Sequence, residues 1–243
     1  ENKKAAARLL ASMSPEQLRD YLYAKSSEDL LRASGRGLYP LAVDDGTVLM
    51  ALNKADKLAA KAVSVVPLLI GKTRDEMTTL VPIKGIGRNA NQLWPLFDGE
   101  PREETINQKL GWFAGLNRGI KISMSSWALD RRFKKILDSY AESLPIMYAY
   151  QFEWADYPDP WRSELGALHG LDIPFIFGNF IDDRKSYMRF AWTEENAEYR
   201  AALHQQIVRS IKAFVHTGDP NIIPKKPWLP WWGKEEQIER WGR

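Results

Sequence analysis

Residues 166–179 read G-A-L-H-G-L-D-I-P-F-I-F-G-N, and they hold one of only three histidines in 243 residues. Imidazole titrates near neutral pH, so a histidine in a glycine-bearing loop, away from any helical stripe, is a candidate general base. A second loop follows the apolar run V-P-L-L-I-G and contains Asp75 and Glu76. A carboxylate that fixes an imidazole tautomer and stabilises the imidazolium is the usual partner of such a base. Loops at the carboxyl ends of parallel strands are where α/β folds keep their chemistry. The order acid, then histidine, fits the second and third members of a Ser…Asp/Glu…His triad. From position alone a plainer explanation stands beside it: His169 hydrogen-bonds its own turn.

The other candidates are weaker. His204 follows Leu203 on the last helical stripe and is expected to be structural. His216 falls in that helix's last turn, where a cation meets the negative end of the dipole and needs no function. The three histidines are not at ligand spacing, no H-E-x-x-H occurs and there is no cysteine, so no metal site is expected. Residues 85–90, G-I-G-R-N-A, match G-x-G-x-x-A, but the strand and helix that the fingerprint requires are missing around them. No cofactor is therefore expected. A net charge of +3 without a basic stripe gives no reason to expect nucleic acid as a partner. No apolar stretch approaches the roughly 20 residues of a membrane span. The ten tryptophans could build a carbohydrate surface, although packing is their commoner use. The absence of cysteine excludes disulfides and leaves the compartment open.

The elements that would position these loops alternate. Ser14-Pro15-Glu16-Gln17 is a helix start with a capping box, and Ser27 with Glu28 and Asp29 repeats the signal. A-V-D-D-G-T-V-L-M predicts a turn, then a strand. Residues 63–71, V-S-V-V-P-L-L-I-G, predict a buried parallel strand, with Pro67 tolerable only near its start. Residues 84–110 read as irregular. Trp127, Phe133, Ile136, Leu137 and Tyr140 predict a helix over the run that begins at Ser125. I-M-Y-A-Y-Q-F-E-W alternates as a strand, with Tyr148, Tyr150, Phe152 and Trp154 on one face. Tyr199, Leu203, Ile207, Ile211 and Phe214 predict an amphipathic helix that stops near Gly218. Strands separated by helices indicate an α/β layer fold.

V-P-L-L-I-G-K-T-R-D-E-M resembles the type-B carboxylesterase and cholinesterase-like pattern, in which a strand leads into a G-x-x-x-D-E-G turn. L-G-A-L-H-G-L-D-I-P-F-I-F-G-N resembles the same family's G-A-x-H-G-x-D-I-P-F-x-F-G segment. V-D-D-G-T-V-L, M-Y-A-Y-Q-F-E-W, I-K-A-F-V-H-T-G-D-P-N and P-W-L-P-W-W match further family segments in the expected order, so the resemblance spans nearly the whole chain. It implies the C-terminal half of an α/β-hydrolase fold, a mostly parallel central sheet flanked by helices, with residues 1–243 as the C-terminal part of a single domain. It implies a carboxylic ester hydrolase acting through a serine acyl-enzyme. Glu76 is then the acid and His169 the base. Asp172 shapes the loop by backbone hydrogen bonds, Gly166 and Gly170 let it turn, and Trp94, Trp112, Phe113 and Trp127 supply walls of the substrate pocket.

Two departures matter. Met77 stands where the family has glycine after the acid. The G-x-S-x-G elbow and the glycine-rich oxyanion loop are absent, and no serine of the run S-M-S-S before Trp127 is flanked by elbow glycines. The resemblance therefore implies an N-terminal segment of the same enzyme that carries the serine, with a small-molecule ester as substrate. The alternative is a non-catalytic cholinesterase-like binding or adhesion module, of the kind that keeps the fold and loses triad members.

Overall fold

The computed structural model describes residues 2–34, 66–81, 112–142, 144–181, 188–221 and 227–242. Contacts divide the chain into two units, Glu1–Val43 and Asp44–Arg243.

The first unit contains α1 (Lys3–Ser12), α2 (Pro15–Tyr23) and α3 (Ser27–Ser34). The capping box forms as expected: the Ser14 amide donates to Gln17 Oε1 at 2.9 Å, and the Gln17 amide donates to Ser14 Oγ at 3.2 Å. The cap of α3 is Ser26, whose hydroxyl accepts from the Asp29 amide at 3.1 Å, one residue earlier than the expected Ser27. Adjacent serines are chemically equal caps, and the register of the helix decides between them.

Among its described residues the second unit is built on three parallel strands in the order β1 (Leu68–Thr73), β2 (Met147–Phe152), β3 (Ile238–Trp241). Pro67 lies just before β1, so it removes no ladder hydrogen bond. Alternation along the strands sends Leu69, Tyr148, Tyr150, Phe152 and Trp241 into one core and Leu68, Ile70, Met147, Ala149 and Ile238 into the other. Both faces are covered, as parallel sheets require.

The larger core is closed by α6 (Trp161–Leu165), α7 (Asp172–Phe177) and α8 (Ala197–Thr217). It is rich in aromatics. Tyr150 stacks on Trp241 at 4.1 Å between ring centroids, and Phe175 meets Phe152 at 5.0 Å and Trp154 at 4.8 Å. Gly71 lies directly under the Tyr150 ring, where a Cβ would collide with it. The smaller core is closed by Phe133 and Leu137 of α5 (Trp112–Ala141), with Trp231. Most of the tryptophans whose surroundings are described are thus core residues: Trp154, Trp161, Trp228, Trp231 and Trp241 are all buried.

Three expectations are modified here. The helix expected from Ser125 begins at Trp112. Trp127, expected on its buried stripe, is 61% exposed with Arg131 over its ring; it lies six residues before Phe133, about 240° around the helix. A third strand, β3, runs through the tail, where none was expected. The turn and strand at A-V-D-D-G-T-V-L-M and the irregular run 84–110 lie outside the described residues.

Candidate active site

Beyond the end of β1 the Arg74 amide donates to Phe152 O at 2.8 Å, which extends the ladder by one step. The chain then turns through Asp75 and Glu76 into α4 (Met77–Leu80). On the neighbouring strand the path is longer: from β2 through α6 to the loop 166–171, then into α7. A parallel bridge between Asp75 and Leu168 brings these two excursions together, so residues distant in sequence meet above the strand ends.

Glu76 and His169 meet there. Glu76 Oε2 is hydrogen-bonded to His169 Nδ1, across 93 residues of sequence. Glu76 Oε1 accepts from the Thr73 amide at 3.0 Å. Its side chain is 13% exposed, whereas that of His169 is 56% exposed. The carboxylate is thus fixed at both oxygens, and the ring presents its other side to the surroundings. A neutral imidazole with a carboxylate on Nδ1 carries its proton there and its lone pair on Nε2. Nε2 has no hydrogen-bond partner among the described residues. Such a ring can take a proton at Nε2 while the carboxylate stabilises the resulting cation.

Asp172 stands behind this pair. Its Oδ2 accepts from the Tyr150 hydroxyl at 3.1 Å, and its own amide also bonds it. The sequence pointed to backbone bonds alone; the tyrosine reaches it because β2 sends Tyr150 to the same face. Burial raises the Asp172 carboxyl above its ordinary 3.8; the Tyr150 and amide bonds oppose this, the Glu76 charge adds to it and His169 subtracts. Burial also raises the Tyr150 phenol, and the charges of Asp172 and Glu76 push the same way.

The remaining candidates lie elsewhere. His204 on α8 is half-buried, with Nδ1 2.6 Å from Phe175 O, so it ties α8 to α7. His216 occupies the last turn of α8, as expected. Trp112 and Phe113 are exposed at the start of α5, 4.6 Å apart edge to face. Ser123, Ser125 and Ser126 lie in the middle of α5, where no strand-to-helix elbow exposes a hydroxyl. Trp94 and residues 85–90 lie outside the described residues. Among the described residues no group of three or more metal-ligating side chains gathers, and no helix is long and apolar enough to cross a membrane.

Sequence reasoning missed Thr73, Thr78, Tyr157 and Arg118, all close to this turn. Their types carry no signal; only the meeting of the two loops makes them relevant.

No family model matches the chain. Para-nitrobenzyl esterase of Bacillus subtilis (strain 168) is 26% identical over 226 residues, which is 83% of this chain and 41% of that protein. Acetylcholinesterase of Gallus gallus is 36% identical over 75 residues, 31% of this chain and 9% of that protein. Among solved structures, a PNB esterase superposes with a TM-score of 0.58 at 22% identity, covering 94% of this chain and 48% of its own. A carboxylesterase of Geobacillus stearothermophilus gives 0.53 at 24% identity, covering 88% and 43%. The chain thus spans less than half the length of these relatives. It is a relative of the type-B carboxylesterases and cholinesterases, and its fold is that of the α/β-hydrolases.

Proposed function

We propose that this chain is the acid- and base-bearing C-terminal part of a single α/β-hydrolase domain in a serine carboxylic ester hydrolase. The supporting observation is the Glu76–His169 hydrogen bond, formed between loops beyond adjacent parallel strands. The nucleophilic serine and the oxyanion donors would come from an N-terminal segment of the same enzyme.

In this scheme His169 Nε2 removes the serine proton as the hydroxyl oxygen attacks the ester carbonyl carbon. Glu76 holds the Nδ1 tautomer and stabilises the imidazolium through that step. The tetrahedral intermediate collapses, the C–O bond to the leaving alcohol breaks, and His169 returns the proton to the alcohol oxygen. Water then attacks the acyl-enzyme with the same histidine as base, which releases the carboxylic acid and restores the serine. No metal or organic cofactor is needed. Asp172 and Tyr150 touch no reacting atom and hold the histidine loop from behind.

The test uses the full-length protein and a fluorophosphonate, which reacts with a serine activated by a base and an oxyanion hole. The expected result is one adduct, on a serine outside residues 1–243, lost in His169→Ala. An adduct on any serine of this chain rejects the scheme. A full-length protein with no reactive serine and no ester hydrolysis supports the binding-module alternative instead.

A further inference from the structure

We infer that Asp75 and Thr78 are positioning residues for His169, so that two adjacent carboxylates divide the work: Glu76 holds the ring, and Asp75 holds the backbone that carries it. This rests on the hydrolase proposal for its kinetic consequences.

The peptide 165–167 lies just before the histidine and is tied to the acid turn at several atoms. The Asp75 amide donates to Ala167 O at 3.0 Å, and the Ala167 amide donates to Asp75 Oδ2 at 2.8 Å. Thr78 Oγ1 is 2.7 Å from Asp75 O and 2.8 Å from Leu165 O. A hydroxyl has one proton, so it serves one of these carbonyls at a time and bridges the two loops either way. The carbonyl between them, Gly166 O, accepts from the buried Tyr157 hydroxyl. Arg118 of α5, itself 5% exposed, donates to Thr78 O at 2.7 Å and secures the acid turn from the far side.

The loop is shaped around the Asp75 carboxylate. Gly166 has φ +56°, a conformation that L side chains rarely adopt, and a Cβ there would run into the Asp75 carboxylate. Leu165, Ala167 and Leu168 are at most 1% exposed, so water cannot replace these bonds. His169 is the first well-exposed residue after this fixed run. Its ring direction is therefore set by a backbone that Asp75 and Thr78 hold. Catalytic geometry tolerates little error, and a misplacement of about 1 Å can cost on the order of 10²-fold in rate.

The experiment compares Asp75→Ala, Asp75→Asn and Thr78→Val in the full-length protein. The readouts are kcat for p-nitrophenyl acetate, normalised to sites titrated by a fluorophosphonate, and hydrogen exchange of peptides spanning residues 165–171. Asp75→Ala is expected to lower kcat per titrated site by on the order of 10²-fold with KM nearly unchanged. Asp75→Asn keeps an acceptor for the Ala167 amide and is expected to rescue most of the loss. A purely structural role would lower the number of titratable sites and leave kcat per site unchanged. Native kcat per site in Asp75→Ala, or an Asp75→Asn as impaired as Asp75→Ala, overturns the assignment. Where Asp75→Ala does not fold, Thr78→Val decides, since it keeps the shape and removes only the bridging hydroxyl; native kcat per site and native exchange in that variant also overturn it. If the full-length protein neither hydrolyses the ester nor takes the phosphonate, the hydrolase proposal fails. Exchange at residues 165–171 then still decides the clasp: acceleration in Asp75→Ala supports it, and unchanged exchange overturns it.

Discussion

Replacing Glu76 by glutamine changes one atom's chemistry and almost no volume, and the structure shows where the cost falls. The carboxylate accepts from two N–H groups, the Thr73 amide at 3.0 Å and His169 Nδ1. Glutamine offers one acceptor and one donor. With its oxygen kept on Thr73, its NH2 group faces Nδ1. The ring must then accept at Nδ1 and carry its proton on Nε2, which can no longer take one from a serine. With the amide flipped, two donors face each other at Thr73, which is 1% exposed. Leaving that amide unsatisfied costs about 1–3 kcal/mol, so the unproductive orientation is favoured roughly 5- to 150-fold. The imidazolium also loses its counter-charge. At a surface-like dielectric that is worth up to about 4 kcal/mol, and the exposure of His169 reduces it to roughly 2, a further loss of about 30-fold. Together these give a fall in kcat of roughly 10²–10⁴-fold, below or close to the 10⁴ known for the carboxylate-to-amide change in a Ser-His-Asp triad. KM should hardly move, since Glu76 contacts no substrate in this scheme. The assay is hydrolysis of p-nitrophenyl acetate by full-length Glu76→Gln, with thermal melting to establish that the variant is folded. A folded variant that keeps more than about a tenth of kcat refutes this account of the acid.

Three more outcomes follow from the same structure. His169→Ala in the full-length protein should lose ester hydrolysis by several orders of magnitude, while His204→Ala and His216→Ala keep it; comparable losses in all three, measured as kcat, would mean that none acts as the base. Gly71→Ala should lower stability by about 1–3 kcal/mol in chemical denaturation, because its methyl group displaces the Tyr150 ring from its stack on Trp241; an unchanged midpoint would show that the ring yields freely. The Asp172 carboxyl is raised above 3.8 in the folded state, so its contribution to stability is fully present below that value and is lost as pH rises through the folded value. Asp172→Asn escapes that loss and still accepts from Tyr150, so its melting temperature relative to the parent should climb from acid towards neutral pH; a flat difference would contradict the burial effect.

The sequence nominated Glu76 and His169, which the structure brings into hydrogen-bond contact, because their types are rare in such contexts: a glutamate just past an apolar strand, and a histidine among glycines. It also revealed β1, β2 and α8, where alternation or a four-residue period is carried by large apolar side chains. What it hid has physical reasons. The first half of α5 contains Gly115 and Gly119, which lower helix propensity, so the pattern became visible only from Ser125. β3 is I-E-R-W, four residues with two charges, and it is a strand because β2 offers it an edge. Nothing in the sequence signals a role for Asp75, since its partner, the Ala167 amide, lies 92 residues away. Residue types can nominate a catalytic pair, but the groups that aim it depend on which loops share a neighbourhood.

The sheet also dictates an order of assembly. Every strand pairing in it joins segments far apart in the chain: Leu68 with Met147, and Ala149 with Ile238. Closing such long loops is entropically costly before any contact rewards it, and folds dominated by distant contacts form slowly. During synthesis the central strand β2 emerges with one neighbour already made and the other still to be translated. Until β3 leaves the ribosome, one edge of an aromatic-rich strand is open to chaperones and to misassembly. Since Glu76 and His169 sit past the ends of β1 and β2, recovery of their hydrogen bond in a refolding experiment should report on long-range closure rather than on early helix formation.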